Sequence, residues 1–166
     1  MPRRLLRDRQ IVEDEWLYSA EAAGNALAPL IVTVDEWRND RDTWLARGSR
    51  LGLQIAPAHK IEPLVQDLGF FTLIAAEFSG PAEGRGYTQG RLLRERFDFK
   101  GELRATGYVR RDQLFFLARC GFNSFQLSDA DIEDALLALS TFSAAYQPSN
   151  DMGLEFKLRR GIPANA

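Results

Sequence analysis

The sequence predicts an α/β protein: a mainly parallel sheet of five to six strands with flanking helices. Three observations point there. Short apolar, β-branched runs recur along the chain. A turn and a helical segment follow each of them, at about 20 to 30 residues per unit. Capping residues open several of the helices and glycines close them. Strands joined through helices at that spacing run parallel, with right-handed crossovers. At 166 residues the chain is too short for the eight units of a complete β/α barrel. Two architectures remain. An open doubly wound sheet is preferred on length, and an incomplete β/α barrel is the alternative. Both place functional groups at the carboxyl ends of the strands.

The elements follow in order. "LIVTV" (30–34) reads as a buried strand. Thr33 and Glu36 have capping-box spacing for a helix running to about Arg47, which Gly48 closes. "LGLQI" (51–55) is a second strand, and 61–68 a short helix with Pro63 in its first turn and Gly69 at its end. "FTLIAAE" (71–77) is the third strand. A loop leads to a helix over 88–96, and "ELRATG" (102–107) is the fourth strand. Residues 112–120 form a helix stopped by Gly121, and 124–127 a fifth strand. Ser128 and Asp131 open a last helix, whose Ile132, Leu136, Leu139 and Phe142 share one face.

The length fits one α/β domain, with an N-terminal arm over 1–25 and a C-terminal tail over 147–166. "IVEDEWLY" (11–18) reads as a hairpin arm or edge strand. "GLEFKLRR" (153–160) alternates apolar and charged residues, which suits a half-buried strand on this sheet's edge or on a second copy in a homo-oligomer.

Composition narrows the function classes. The chain is 45% hydrophobic and 27% charged, as a soluble globular protein is. One cysteine, Cys120, allows no internal disulfide and no thiolate metal centre from this chain, which fits a cytoplasmic location. The first residues lack the apolar core of a secretory signal, and no apolar run is long enough to span a membrane. His59 is the sole histidine, so a histidine metal cluster is excluded; Cys120 reads as a buried, inert thiol. The sequence pI of 5.5 and the lack of a recognition module argue against nucleic acid. Net charge is −2, yet 85–119 holds eight Arg and one Lys against four acids. That excess of +5 leaves −7 for the rest, an asymmetry suited to an anion or an acidic partner.

The stretch "EGRGYTQGRLLRER" (83–96) carries the anion hypothesis. Gly84 and Gly86 would let the backbone approach a ligand, Arg85 would add charge, and Thr88 would cap the helix. The competing reading is a glycine turn that needs positive φ. The pattern is neither a dinucleotide fingerprint nor a P-loop, so no recognisable motif encodes a cofactor and the cofactor stays unknown. Glu77, Arg104, Asp112 and Gln113 complete the candidates. Glu77 and Arg104 fall near strand ends, where they are expected to pair, and Asp112 and Gln113 open a helix.

"AAEF" (75–78), "GRGYT" (84–88), "LLRERF" (92–97), "KGELRATG" (100–107) and "RDQLFFLARCGFNSF" (111–125) together resemble a bacterial domain-of-unknown-function family. Its members are usually labelled oxidoreductases involved in sulfite reduction, because their genes accompany assimilatory sulfite reductase. The resemblance spans roughly 30–146, and its motif positions here are Gly84, Arg85, Gly86, Leu103, Arg104, Ala105, Gly107, Asp112 and Gln113. The chain departs at Tyr108 and Arg110, where the pattern resembles G-D-V-L, and at Glu83, where aspartate is common. The resemblance implies an accessory protein of assimilatory sulfite reduction, an oxidoreductase or electron-delivery component with an anion-binding loop. The alternative is a non-catalytic module docking on sulfite reductase or another sulfur-assimilation enzyme. Electron delivery requires a bound redox group, since no side-chain set here carries electrons.

Overall fold

The computed structural model describes residues 3–22 and 27–141. Eight strands form one sheet in the order β2-β1-β8-β7-β6-β5-β4-β3. Strands β3 (Leu17–Tyr18), β4 (Leu30–Thr33), β5 (Leu51–Ile55), β6 (Leu73–Phe78), β7 (Glu102–Gly107) and β8 (Ser124–Phe125) are mutually parallel and lie in consecutive order. β1 (Arg4–Arg7) and β2 (Gln10–Glu13) form an antiparallel hairpin on the β8 edge. The hairpin turn, Asp8-Arg9, has positive φ at both positions, as the tight turn matching strand twist requires.

This order corrects the preferred architecture. A doubly wound sheet reverses its strand order at a switch point and carries helices on both faces. Here the parallel order never reverses, so the sheet curls as a half-barrel, the alternative reading. The eight strands exceed the five to six expected because 1–25 contributes three, β1, β2 and β3.

Chain length forces the curl. Only Asp14, Glu15 and Trp16 separate β2 from β3, which occupy opposite edges of the sheet. Seven strand spacings of ~4.8 Å would put those edges ~34 Å apart if the sheet were flat. Four residue steps reach at most ~14 Å. The segment therefore straps the concave side, and we call it the strap.

Strand alternation sorts the two faces. The rows Leu53–Ile74–Leu103 and Ile55–Ala76–Ala105–Phe125 face the helices and join Leu6, Trp37, Phe78, Leu93, Leu114 and Phe122 in the main core. The opposite rows carry Ile31, Gly52 and Leu73 and, further along, Thr33, Gln54, Ala75, Arg104 and Ser124. Trp16 of the strap packs there with Ile31, Leu73 and Ala75. Gly52 makes room for it: a Cβ at that position would press on the Trp16 ring, on Ile31 and on Leu73.

Helices differ from expectation in detail. The helix expected from Val34 to Arg47 breaks at Asp40 into α1 (Val34–Asn39) and α2 (Arg41–Ala46). The Trp44 indole donates to the Glu36 carbonyl across the break, 3.0 Å. Residues Glu62–Phe70 form a 3₁₀ helix. The helix after β6 starts at Arg85 (α3, Arg85–Arg91), earlier than Thr88, and its last turn, Leu92–Arg96, is a π-helix. A 3₁₀ turn, Arg111–Gln113, leads into α4 (Leu114–Arg119), and α5 spans Ile132–Thr141. Phe142 and the tail 147–166 lie outside the described residues. Among the described residues no helix is long and apolar enough to cross a membrane.

The capping box at α1 forms as the sequence predicts: Glu36 N–H donates to Thr33 Oγ1 (3.2 Å), while Thr33 N–H (2.7 Å) and Oγ1 (2.9 Å) donate to the Glu36 carboxylate. Ser19 Oγ adds a donor at 2.6 Å. Burial opposes ionisation of Glu36, but the Ser19 and Thr33 donors together outweigh it and lower its pKa. A lowered carboxyl pKa stabilises the fold above the unfolded-state value, and that contribution disappears as pH falls through the folded value. In urea titrations at stepped pH, Ser19→Ala should therefore cost more stability at pH 7 than at pH 3. Equal losses at both would show that Glu36 is not held in its charged form.

Candidate functional site

On the concave face Arg104 is fully buried. Its Nη1 donates to both Asp14 oxygens at 3.0 Å, while Nε (3.0 Å) and Nη2 (2.8 Å) donate to Glu102 Oε1. Arg7 Nη1 reaches the other Glu102 oxygen at 3.3 Å, and Asp14 Oδ1 also accepts the Trp16 backbone N–H at 3.2 Å. Two cations and two carboxylates thus neutralise one another, with Arg104 and Asp14 buried and Arg7 at the solvent edge, the pairing that lets the buried charges survive. The expected Glu77–Arg104 pair does not form. The guanidinium turns back along β7 to Glu102 and meets the strap, so Arg104 closes the strap and offers no free donor fork. Glu77 accepts instead from Gln54 Nε2, at 3.4 Å.

Glu77, Gln54 and Thr106 stand near the carboxyl ends of their strands on this concave face. Tyr18 of β3 donates its hydroxyl to Gln126 Oε1, just past β8, at 3.3 Å, so the curl brings the two ends of the parallel run together. Burial raises the Tyr18 pKa against the opposing pull of Arg104 and Arg3, which keeps its hydroxyl protonated.

A cleft of about 730 Å³ opens on the helix side, between segment 57–63 and α3. Gln89, buried on α3, anchors the segment: its Nε2 donates to the Ala56 and His59 carbonyls at 3.0 and 2.8 Å. His59 Nδ1 accepts the Ala56 N–H at 2.9 Å, which places the ring proton on Nε2. Lys60, Arg85 and Thr88 line the cleft beside His59. Among the described residues, neither the Lys60 nor the Arg85 side chain has an ion-pair partner. Glu62, the cleft's one carboxylate, is drawn towards Arg96 at 3.7 Å. Two cations and His59 therefore line a cleft that also has apolar wall residues.

The glycine loop has a different physical role from either reading of its sequence. Gly84 has φ −90° and Gly86 has no positive φ, so no left-handed turn calls for them. Gly86 lets α3 lie against β6, because a Cβ there would collide with the Phe78 ring. The Arg85 N–H at the helix start is taken by the Glu83 carboxylate, 3.0 Å, and Thr88 sits inside the helix. Arg85 and Arg104 therefore occupy opposite faces of the sheet and do not converge on one rim. Asp112 is exposed in the 3₁₀ turn, and Gln113 Oε1 caps that turn by accepting the Arg110 N–H at 2.8 Å. Tyr108 and Arg110 line a second cleft of about 460 Å³ beyond β7 and β8, with Arg110 Nη1 donating to the Tyr108 hydroxyl at 3.0 Å.

Sequence reasoning missed Asp14 and Gln89. Asp14 lies 90 residues from its partner, beyond any local pattern. Gln89 had one signal, an amide flanked by glycines that let their helix face pack closely: Gly86 against Phe78 and Gly90 against Phe122.

Removing one member of a buried ion pair typically costs about 3–5 kcal/mol. Arg104→Leu should lower the urea-derived unfolding free energy by that order, since Asp14 and Glu102 lose their counter-charge. Glu77→Gln, with no ion pair to lose among the described residues, should change it by less than about 1 kcal/mol. Similar losses from the two variants would show that Arg104 does not hold the strap.

No curated protein matches the chain. One family model does match, over residues 52–154 of the 166. That region begins within β5 and takes in both walls of the cleft as well as Arg104 and Glu102, while Asp14 and the strap precede it. By this match over more than half its length, the chain belongs to the family described as bacterial protein of unknown function, DUF934.

Proposed function

We propose that this chain is an accessory protein of assimilatory sulfite reduction that binds an anion in the cleft between segment 57–63 and α3. The sulfur-assimilation setting rests on the sequence resemblance; the family match carries no activity. One observation carries the binding site: Lys60 and Arg85, without ion-pair partners among the described residues, flank a cleft that His59 also lines. Both cationic side chains are exposed, so their positive charge draws anions to the cleft through a field that salt screens. Arg104 and the glycine backbone have no part in the grip. Electron delivery would add a redox molecule that brings its own chemistry, with this chain supplying binding and orientation.

A thermal-shift panel at low ionic strength tests the reading, using sulfite, sulfate, FMN, FAD and NADPH. A ligand selective for the native state raises the melting temperature as RT ln(1 + [L]/Kd). At least one anion should raise it, the shift should shrink in 0.5 M salt, and a Lys60→Ala/Arg85→Ala double variant should lose it. No shift from any member would overturn the proposal, as would a shift that the double variant keeps.

A further inference from the structure

We infer that the anion taken by this cleft is the charged end of an organic ester, a phosphate or sulfate carried on an apolar or aromatic body. The inference rests on the anion-binding reading above and specifies its ligand. Size is the first argument. An inorganic oxyanion fills roughly the space of two or three water molecules, at ~30 Å³ each. The cleft holds about 730 Å³, within the ~300–1,000 Å³ range of sites that enclose drug-sized organic molecules.

Lining is the second argument. The walls include Pro57, Pro63 and Leu92, a set that offers contact area and no side-chain hydrogen bonds. Burying such surface favours a ligand with apolar atoms at ~25 cal/mol per Å², and a bare oxyanion has none to bury. Among the polar lining residues, Gln89 is committed to backbone carbonyls and Glu62 is drawn towards Arg96, which leaves Lys60, Arg85 and His59 for the charged end.

Rigidity is the third. Segment 57–63 contains two prolines and is tied to α3 by the Gln89 hydrogen bond to the His59 carbonyl, with a second to Ala56 just before it. The His59 ring is held by the Ala56 N–H, and Ile61, 1% exposed, roots the segment in the main core. A preformed cavity avoids the ordering cost that otherwise erodes affinity for a small ligand.

Isothermal titration of the full chain tests this with adenosine 5′-monophosphate, 4-nitrophenyl sulfate, adenosine, inorganic phosphate and inorganic sulfate. At least one ester should bind about tenfold or more tightly than its inorganic ion, and the monophosphate more tightly than adenosine. Leu92→Ala, or the exposed Pro63→Ala if the first does not fold, should weaken ester binding several-fold and leave inorganic sulfate unchanged. Ala58→Asp, at an exposed lining position, should weaken every anion. An inorganic ion that binds as tightly as its ester overturns the inference and leaves the anion site standing. Adenosine binding as tightly as its monophosphate, or no binding by any probe, overturns both.

Discussion

The buried Arg104 fork is the interaction on which the architecture depends. A three-residue link joins opposite edges of an eight-stranded sheet, so the sheet must bend until those edges meet across its concave side. Arg104 holds the link at Asp14 and ties it through Glu102 to Arg7 of the N-terminal hairpin. Trp16 fills the space below, over the Cβ-free surface of Gly52. Apolar packing would suffice to cover the face. The ionic fork does something different: a guanidinium with two carboxylates accepts few geometries, so it defines where the strap crosses.

With the concave side committed to this closure, the opportunities for ligand binding move to the loops and the helix layer. The close approach of α3 to β6, made possible by Gly86, brings Arg85 and Thr88 opposite segment 57–63. Gln89 then donates its amide hydrogens to the Ala56 carbonyl, just before that segment, and to the His59 carbonyl within it. A cavity results whose polar groups come from the loop after β5 and the helix after β6, neighbouring units of the parallel run. Such placement beyond the strand ends is the general habit of β/α folds, and here it requires no reversal of strand order.

The second half of α3 illustrates how backbone irregularity serves packing. Its π turn carries Arg94, whose guanidinium donates to the Gly121 and Gly101 carbonyls at 2.9 Å, to the Phe99 carbonyl and to Asn123 Oδ1 at 3.3 Å. Desolvation lowers the Arg94 pKa, yet the carbonyls replace much of the water it gives up. Gly121, at φ +101°, leaves the room that the Arg94 stem requires. Arginines in this basic stretch thus divide among structural clamps, such as Arg94 and Arg104, and a solvent-facing cation at the cleft, Arg85.

Local signals made most elements legible. Periodicity and β-branched runs identified β4 to β8, and Thr33 with Glu36 marked the start of α1, because these features depend on neighbours within four residues. That Asp112 and Gln113 open a helical turn was legible for the same reason. Strand order, the Asp14 partner of Arg104, the Gln54 partner of Glu77 and the cleft depend on residues 23 to 90 positions apart, and only tertiary structure decided them. The physical reason is that curl comes from a length constraint between two sheet edges, while the cleft comes from a helix lying close enough to a strand for one glutamine to reach a distant loop.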